Sequence, residues 1–339
     1  MEERPPERET ADLRAAAIVA VLVAGALVLG VVAGVRARPA PTPAPPASVT
    51  TLPIPTAAAV DPKDVERRAF VQPLSAGCAT DKAVWLFADG GSAIRFDGRV
   101  WSIPDPTLRS LTAAACRSGT ALAVGGGGSL LTADDDRREL RTDHLGTDDL
   151  RGVAILPDGA IAVGSSGAVL RQSALDWTQV GASIVAELHA VAASGRTVWL
   201  VGAGGASYHL TNEGWQPVPT LTSATLRAVA IPSVETAIAA GDGGTLLRWT
   251  AAGWAKVETA VTSTFRGASV IGAATWIVGD GGTVIEVLGD RIRRIDVGTT
   301  CTLRAVFPQD TAVWIVGSDG VRGGAWRITP SGTERWGSC

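Results

Sequence analysis

Short apolar runs of strand length alternate with glycine-rich turns along most of this chain, and the alternation is periodic. The stretches VWLFADGG, ALAVGGGG, AIAVGSSG, VWLVGAGG, AIAAGDGG, TWIVGDGG and VWIVGSDG are anchored at Ala88, Gly125, Gly164, Gly202, Gly241, Gly279 and Gly317. Successive anchors lie 37, 39, 38, 39, 38 and 38 residues apart. Such a period marks a repeat architecture, in which each unit buries its apolar face against its neighbours. The unit spanning residues 226–259 shows the internal pattern. LRAVAI is followed by AIAAG, the turn Asp242-Gly-Gly, TLLRW, the turn ending at Gly253, and WAKVET. These are four strand-length segments joined by tight turns, and none is long enough for an ordinary helix. Four antiparallel strands of this total length form one propeller blade.

The pattern predicts an all-β, seven-bladed β-propeller over residues 72–339, with blades at 72–106, 107–145, 146–184, 185–221, 222–261, 262–299 and 300–339. The first and last repeats are both complete. No strand exchange between the termini is therefore expected, and the seam between blades 7 and 1 needs another fastening. Trp85, Trp199, Trp276 and Trp314 stand three residues before their anchors, and Trp101, Trp177, Trp215 and Trp254 stand thirteen after. An aromatic at a fixed place in each unit is a packing feature.

Residues 15–35 are 21 residues without a charge. As a helix they would be about 31 Å long, the thickness of a bilayer core. A cleaved signal has a shorter apolar core, so a single N-terminal transmembrane anchor is expected, preceded by a short cytoplasmic tail at 1–14. Gly30 and Gly34, extended by Ala26, form a small-xxx-small pattern through which two anchors could pack as a weak homodimer. Glycine as filler in an Ala/Gly-rich span is the plainer reading. Residues 36–71 read as a Pro-rich linker that holds the propeller clear of the membrane. Arg4, Arg8 and Arg14 flank one side of the span, and Arg36 and Arg38 the other, a slight asymmetry. The large following domain carries all four cysteines, which favours the periplasm or cell exterior.

With 30 basic and 33 acidic groups and a net charge of −3, the chain has no basic excess of the kind that nucleic acid requires. Cys78 and Cys116 fall in the first strands of blades 1 and 2, while Cys301 and Cys339 bracket blade 7. Three connectivities exist. The pairing 78–116 with 301–339 is preferred, and a bond from Cys339 to blade 1 would instead fasten the seam. No cysteine spacing suits zinc.

Each blade's first strand opens with a recurring couple: Leu150-Arg151, Leu188-His189, Leu226-Arg227, Phe265-Arg266 and Leu303-Arg304. Blade 1 has Ser75 there, and blade 2 offers Arg109 slightly out of register. First strands line a propeller's channel, so Arg151, His189, Arg227, Arg266 and Arg304 are expected to form a basic collar at one mouth, suited to carboxylates or phosphates. The turns after the second strands carry Asp89, Asp242, Asp280 and Asp319 on the same face. Internal Arg–Asp pairing is the competing reading for Arg227, Arg266 and Arg304. Arg151 and His189 face Ser165 and Ala203 in their turns, and so are the better binding candidates. Three histidines without ligand spacing, and no nucleophile elbow, give no catalytic constellation, metal site or cofactor. The run Asp134–Asp136 reads as a solvated loop rather than a cation site.

The repeat L-R-x-V…W-x-V-G-x-x-G…G-W, clearest in residues 188–219, 226–258 and 303–320, resembles the photosystem II stability/assembly factor-like propellers of the BNR/Asp-box group. The Asp-box itself survives only in part, at Asp97-Gly98…Trp101, Thr211…Gly214-Trp215 and Thr250…Gly253-Trp254. The resemblance implies a non-enzymatic scaffold that helps assemble membrane complexes and binds a protein or peptide client through an arginine face. The matching positions are Arg151, Arg227, Arg266 and Arg304. The same group includes sialidases, which implies the alternative of a cell-surface glycan-binding or glycan-hydrolysing propeller. Tyr208 and Glu213 would be its nucleophile pair, but seven blades and a lone tyrosine speak against it.

Overall fold

A computed structural model describes residues 50–53, 68–98, 101–102, 109–136, 139–174 and 176–339. The predicted tail, the transmembrane span 15–35 and most of the linker lie outside these residues. Among the described residues, no helix is long and apolar enough to cross a membrane.

Seven antiparallel sheets follow one another in chain order, each built on four strands in sequential order. Blade 5 is representative, with strands Leu226–Ser233, Thr236–Gly241, Leu246–Thr250 and Gly253–Lys256. The innermost strands are Leu74–Ala79, Leu111–Arg117, Leu150–Leu156, Leu188–Ser194, Leu226–Ser233, Phe265–Ile271 and Thr302–Gln309. The seven-bladed propeller predicted from the repeat is thus the fold. Second strands read as continuous apolar runs because both their faces are covered by neighbouring blades. Thr197–Gly202, for example, is buried from Val198 onward. Trp85, Trp199, Trp276 and Trp314 are all buried in the clusters between blades, as a packing role requires.

The anchor glycines have a specific cause. Their φ is extended, near −168° at Gly241, so conformational freedom is not what selects glycine. The residue after each anchor donates its N–H to the carbonyl just ahead of the innermost strand. Asp242 N–H bonds Thr225 O at 2.9 Å, and Ala203 to Glu187 and Asp280 to Thr264 repeat this at 2.9 Å. That carbonyl lies against the anchor Cα, where a Cβ on Gly241 would collide with Thr225 O. The last glycine of the same turn has φ of +71° at Gly244, and its Cα faces the Val261 carbonyl of the connection to the next blade. The turn therefore locks both ends of the blade.

Two features depart from the sequence expectation of four strands per blade and a free linker. Thr50–Pro53, within the predicted linker, pairs antiparallel with Glu139–Thr142 as a fifth, outermost strand of blade 2. An open outer edge accepts one more strand, and proline is tolerated at such an edge. Ala69 and Phe70, also counted as linker, fasten the seam. Ala69 and Phe70 are buried in a cluster with Leu74 and Leu86 of blade 1 and Trp314 and Val316 of blade 7. Gly323 of blade 7 donates its N–H to Phe70 O at 3.1 Å, just as Gly282 of blade 6 donates to Cys301 O at 2.8 Å. The segment ahead of blade 1 thus stands where a blade 7 to blade 1 connection would run. The disulfides are Cys78–Cys116, between the innermost strands of blades 1 and 2, and Cys301–Cys339, across blade 7.

Asp135 corrects the reading of its acidic run as solvated. Its side chain is fully buried and accepts from Arg95 Nε at 2.9 Å, Thr80 Oγ1 at 2.6 Å and Trp85 Nε1 at 3.3 Å. Three donors from blade 1 hold this one carboxylate of blade 2.

Two predictions test these locks by chemical denaturation. Gly241→Ala should cost at least about 2 kcal/mol, because backbone must move. Gly243→Ala, at φ +63° with open space around it, should cost only about 1–2 kcal/mol of left-handed strain. Equal losses would contradict the close-approach account. Asp135→Ala, which strands a part-buried guanidinium, should cost about 3–5 kcal/mol. A loss under about 1 kcal/mol would show that the three bonds do not join the blades.

Candidate functional site

The innermost strands share one irregularity. In every blade their register against the second strand slips at the second position: between Leu74 and Ala76, Leu111 and Ala113, Leu150 and Gly152, Leu188 and Ala190, Leu226 and Ala228, Phe265 and Gly267, and Leu303 and Ala305. A bulge leaves the extra residue without a ladder partner and re-aims its side chain. The seven bulged residues are Ser75, Thr112, Arg151, His189, Arg227, Arg266 and Arg304. All seven line a central cavity of about 760 Å³.

The ring is therefore lopsided. Blades 3 to 7 supply four arginines and a histidine, whereas blades 1 and 2 supply hydroxyls. Thr112 Oγ1 donates to Leu150 O of the next blade at 2.7 Å, and Ser75 Oγ bonds Leu111 O in the same manner. Arg109, expected near the ring, lies ahead of the strand and beside Gly127 in the turn. Thr112 holds the register position because Leu111, not Arg109, pairs with the anchor Gly125.

The arginines differ in how far they are engaged. Arg227 grips Asp242 with Nε at 2.5 Å and Nη2 at 3.1 Å, and Arg266 grips Asp280 at 2.5 and 2.9 Å. Each fork joins the bulge of one blade to that blade's own turn. With side chains about one-third exposed, each pair contributes on the order of 0.5–1 kcal/mol. The guanidinium hydrogen bonds hold Asp242 and Asp280 below the usual carboxylate value of 3.8.

Arg304 does not follow them. Asp319 accepts instead from the backbone N–H groups of Val321 at 2.8 Å and Arg322 at 2.7 Å, within the longer turn of blade 7. Those bonds draw its carboxyl below 3.8. Arg304 Nε is left buried and without a hydrogen-bond partner. Arg151, which lacks an acid in its own turn, reaches Glu187 in the connection to blade 4. It also stands 3.4 Å from His189 Nδ1. Glu187 lies just ahead of the aligned couple, where blade 3 has Asp149 and blades 5 to 7 have threonine, so the couple alone does not reveal it. Burial, then the charges of Arg151 and Arg227, push His189 below its ordinary value of 6.5. A neutral imidazole there accepts from Arg151.

Five arginines and a histidine line the cavity, Arg117 among them, and no carboxylate does. Tyr208 is not part of it. That side chain packs with Val198, Leu200 and Trp215 between blades 3 and 4. No cluster of metal-ligating side chains occurs among the described residues.

The histidines make stability pH-dependent in a stated direction. His189 and His209, the latter stacked on Trp199 at 4.5 Å, are both lowered below 6.5 by burial. The unfolded chain then binds more protons than the native one, so stability is full above pH 6.5 and declines as pH falls below it. The depressed Asp242 and Asp280 add a further loss as pH drops below 3.8. Urea midpoints measured across pH should show both steps, and His189→Gln with His209→Gln should flatten only the first. An unchanged first step would contradict the assignment.

No family model matches the chain, and no curated protein matches it by sequence. Solved structures match its fold. A structure of YCF48 bound to D1 peptide has 14% identity, a TM-score of 0.62, and alignment over 83% of this chain and 94% of that one. YCF48 from Cyanidioschyzon merolae has 15% identity and a TM-score of 0.61, over 83% and 99% of the two chains. The WD40 repeats of RRP9 have 10% identity and a TM-score of 0.62, over 74% and 89%. At such identities the likeness is one of fold.

Proposed function

We propose that this protein is a membrane-anchored, extracytoplasmic propeller that acts as a non-enzymatic scaffold or assembly factor, binding an acidic protein or peptide client at its arginine ring. The observation that carries this reading is a channel mouth where four arginines and a histidine converge, three of the arginines paired with Glu187, Asp242 and Asp280, while Arg304 Nε has no hydrogen-bond partner. A buried donor without an acceptor costs about 1–3 kcal/mol. An incoming carboxylate recovers that cost and gains the charge-assisted bonds of an arginine fork. Arg151 is the second contact, because its link to Glu187 and His189 is a single-nitrogen one that a bidentate acid can displace. Arg227 and Arg266 are already clasped by their own aspartates and set the field rather than the first contacts. The fold neighbour YCF48, solved bound to D1 peptide, supports a peptide partner. The uncharged span at 15–35 supports anchoring, and two disulfides support an oxidising compartment. Glycan hydrolysis is not favoured, since it needs paired carboxylates facing one site.

The test is client capture from native envelopes by cross-linking. Arg151→Gln with Arg304→Gln, which introduces no carboxylate opposite Glu187 or Asp280, should abolish capture while leaving the circular dichroism spectrum and unfolding midpoint near wild type. Arg227→Glu should lower the free energy of unfolding by about 1 kcal/mol or more, since it sets two acids face to face. Equal capture by wild type and the Arg151/Arg304 variant would sink the ring as the contact site.

A further inference from the structure

Three features mark blade 4 on the ring face. Its bulged residue is His189 rather than arginine. Its turn, Ala203–Gly205, carries no acid, a feature shared with blade 3 but not with blades 5 and 6, whose turns carry Asp242 and Asp280. Beside that turn an open groove of about 670 Å³ runs outward, walled by Tyr208, Pro217, Val218, Pro219 and Leu221. The ring and the groove are continuous through the backbone. Leu188, next to His189, pairs with Gly202, and Gly204 two residues on lines the groove.

The flanks of this blade are apolar where solvent would select polar residues. Leu221, in the connection to blade 5, is 91% exposed and holds a left-handed φ of +58°. Val185, in the connection from blade 3, is 78% exposed. Inter-blade connections lie on the same face as the ring, since they lead directly into the innermost strands. An exposed leucine in a conformation that costs about 1–2 kcal/mol has no role in the core.

We infer that the groove of blade 4 seats an apolar side chain of an acidic peptide whose carboxylates occupy the arginine ring, the chain leaving the channel mouth over the acid-free turn at Ala203. The inference rests on the ring reading above and adds the partner's chemistry: an acidic block with a leucine-like residue a few positions away. Charge complementarity chooses a peptide over other occupants. The cationic ring next door attracts acid, the turn of blade 4 carries none, and the carboxylate at the entry to the blade, Glu187, is engaged by Arg151.

The experiment uses fluorescent Gly/Ser peptides with neutral ends, carrying a Glu-Glu-Glu block and one leucine placed two to six residues to either side. Binding is measured by anisotropy against the propeller. At its best position, leucine should tighten binding about tenfold over serine, and Leu221→Asn should remove that gain. Asparagine tolerates the left-handed backbone, so the fold is kept. Arg304→Gln should weaken every Glu peptide alike. If leucine gives no gain at any position while Glu-to-Gln peptides still lose binding, the groove is overturned and the ring stands. If Glu and Gln peptides bind equally, both fall. Dimerisation in sedimentation that Leu221→Asn abolishes would show a second copy covering the groove, overturning the peptide as its occupant.

Discussion

The fold depends on one close contact repeated in six of the seven blades, where the carbonyl at the start of the innermost strand rests on the anchor glycine of the adjacent strand; in blade 1 the same bond, from Asp89 N–H to Pro73 O at 2.9 Å, follows Ala88. Asp149 O against Gly164 and Thr225 O against Gly241 are two instances. A hydrogen bond from the next N–H fixes the carbonyl there, at 2.9 Å in both cases. With the chain pinned one residue before the strand, the register must slip by one to bring the apolar face back into the blade. The slipped residue becomes the bulge, and the bulge points into the channel. The packing constraint and the ring of functional candidates are thus one geometric event.

This coupling explains why the ring varies in chemistry while its position does not. The bulged residue contributes little to the blade core, so Ser75, Thr112, His189 and four arginines occupy equivalent places. Blades 1 and 2 use theirs to bond the next blade's carbonyl and are further joined by Cys78–Cys116 and by the buried carboxylate of Asp135. Mechanical fastening is concentrated in that sector, close to the seam that Phe70 fills. The cationic arc lies in the remaining blades. The fastening between blades 1 and 2 and the arginine arc are thus segregated around the circle.

Within the arc, the field is graded by local turn geometry. Where a turn is the short Asp-Gly-Gly type, its aspartate reaches back to the arginine of the same blade. Where blade 7 lengthens the turn through Val321 and Arg322, the aspartate caps its own backbone and Arg304 loses its clasp. A change in turn length therefore takes the aspartate fork away from Arg304 without altering the arginine.

The sequence by itself determined the blade number, the strand order, the packing role of the tryptophans and the alignment of the arginine couple, because each follows from a period that local hydrophobic and glycine patterns carry. Tertiary structure alone decided the rest. The pairing of Arg151 with Glu187, the release of Arg304 and the displacement of Arg109 by Thr112 each depend on where two chain segments meet, a matter of ångströms that no repeat alignment encodes. The same is true of Thr50–Pro53 on the edge of blade 2 and of Phe70 in the seam. Both were read as linker because their residues lack the repeat's pattern, and both are recruited by surfaces, an open strand edge and an unfilled joint, that exist only once the other blades have folded.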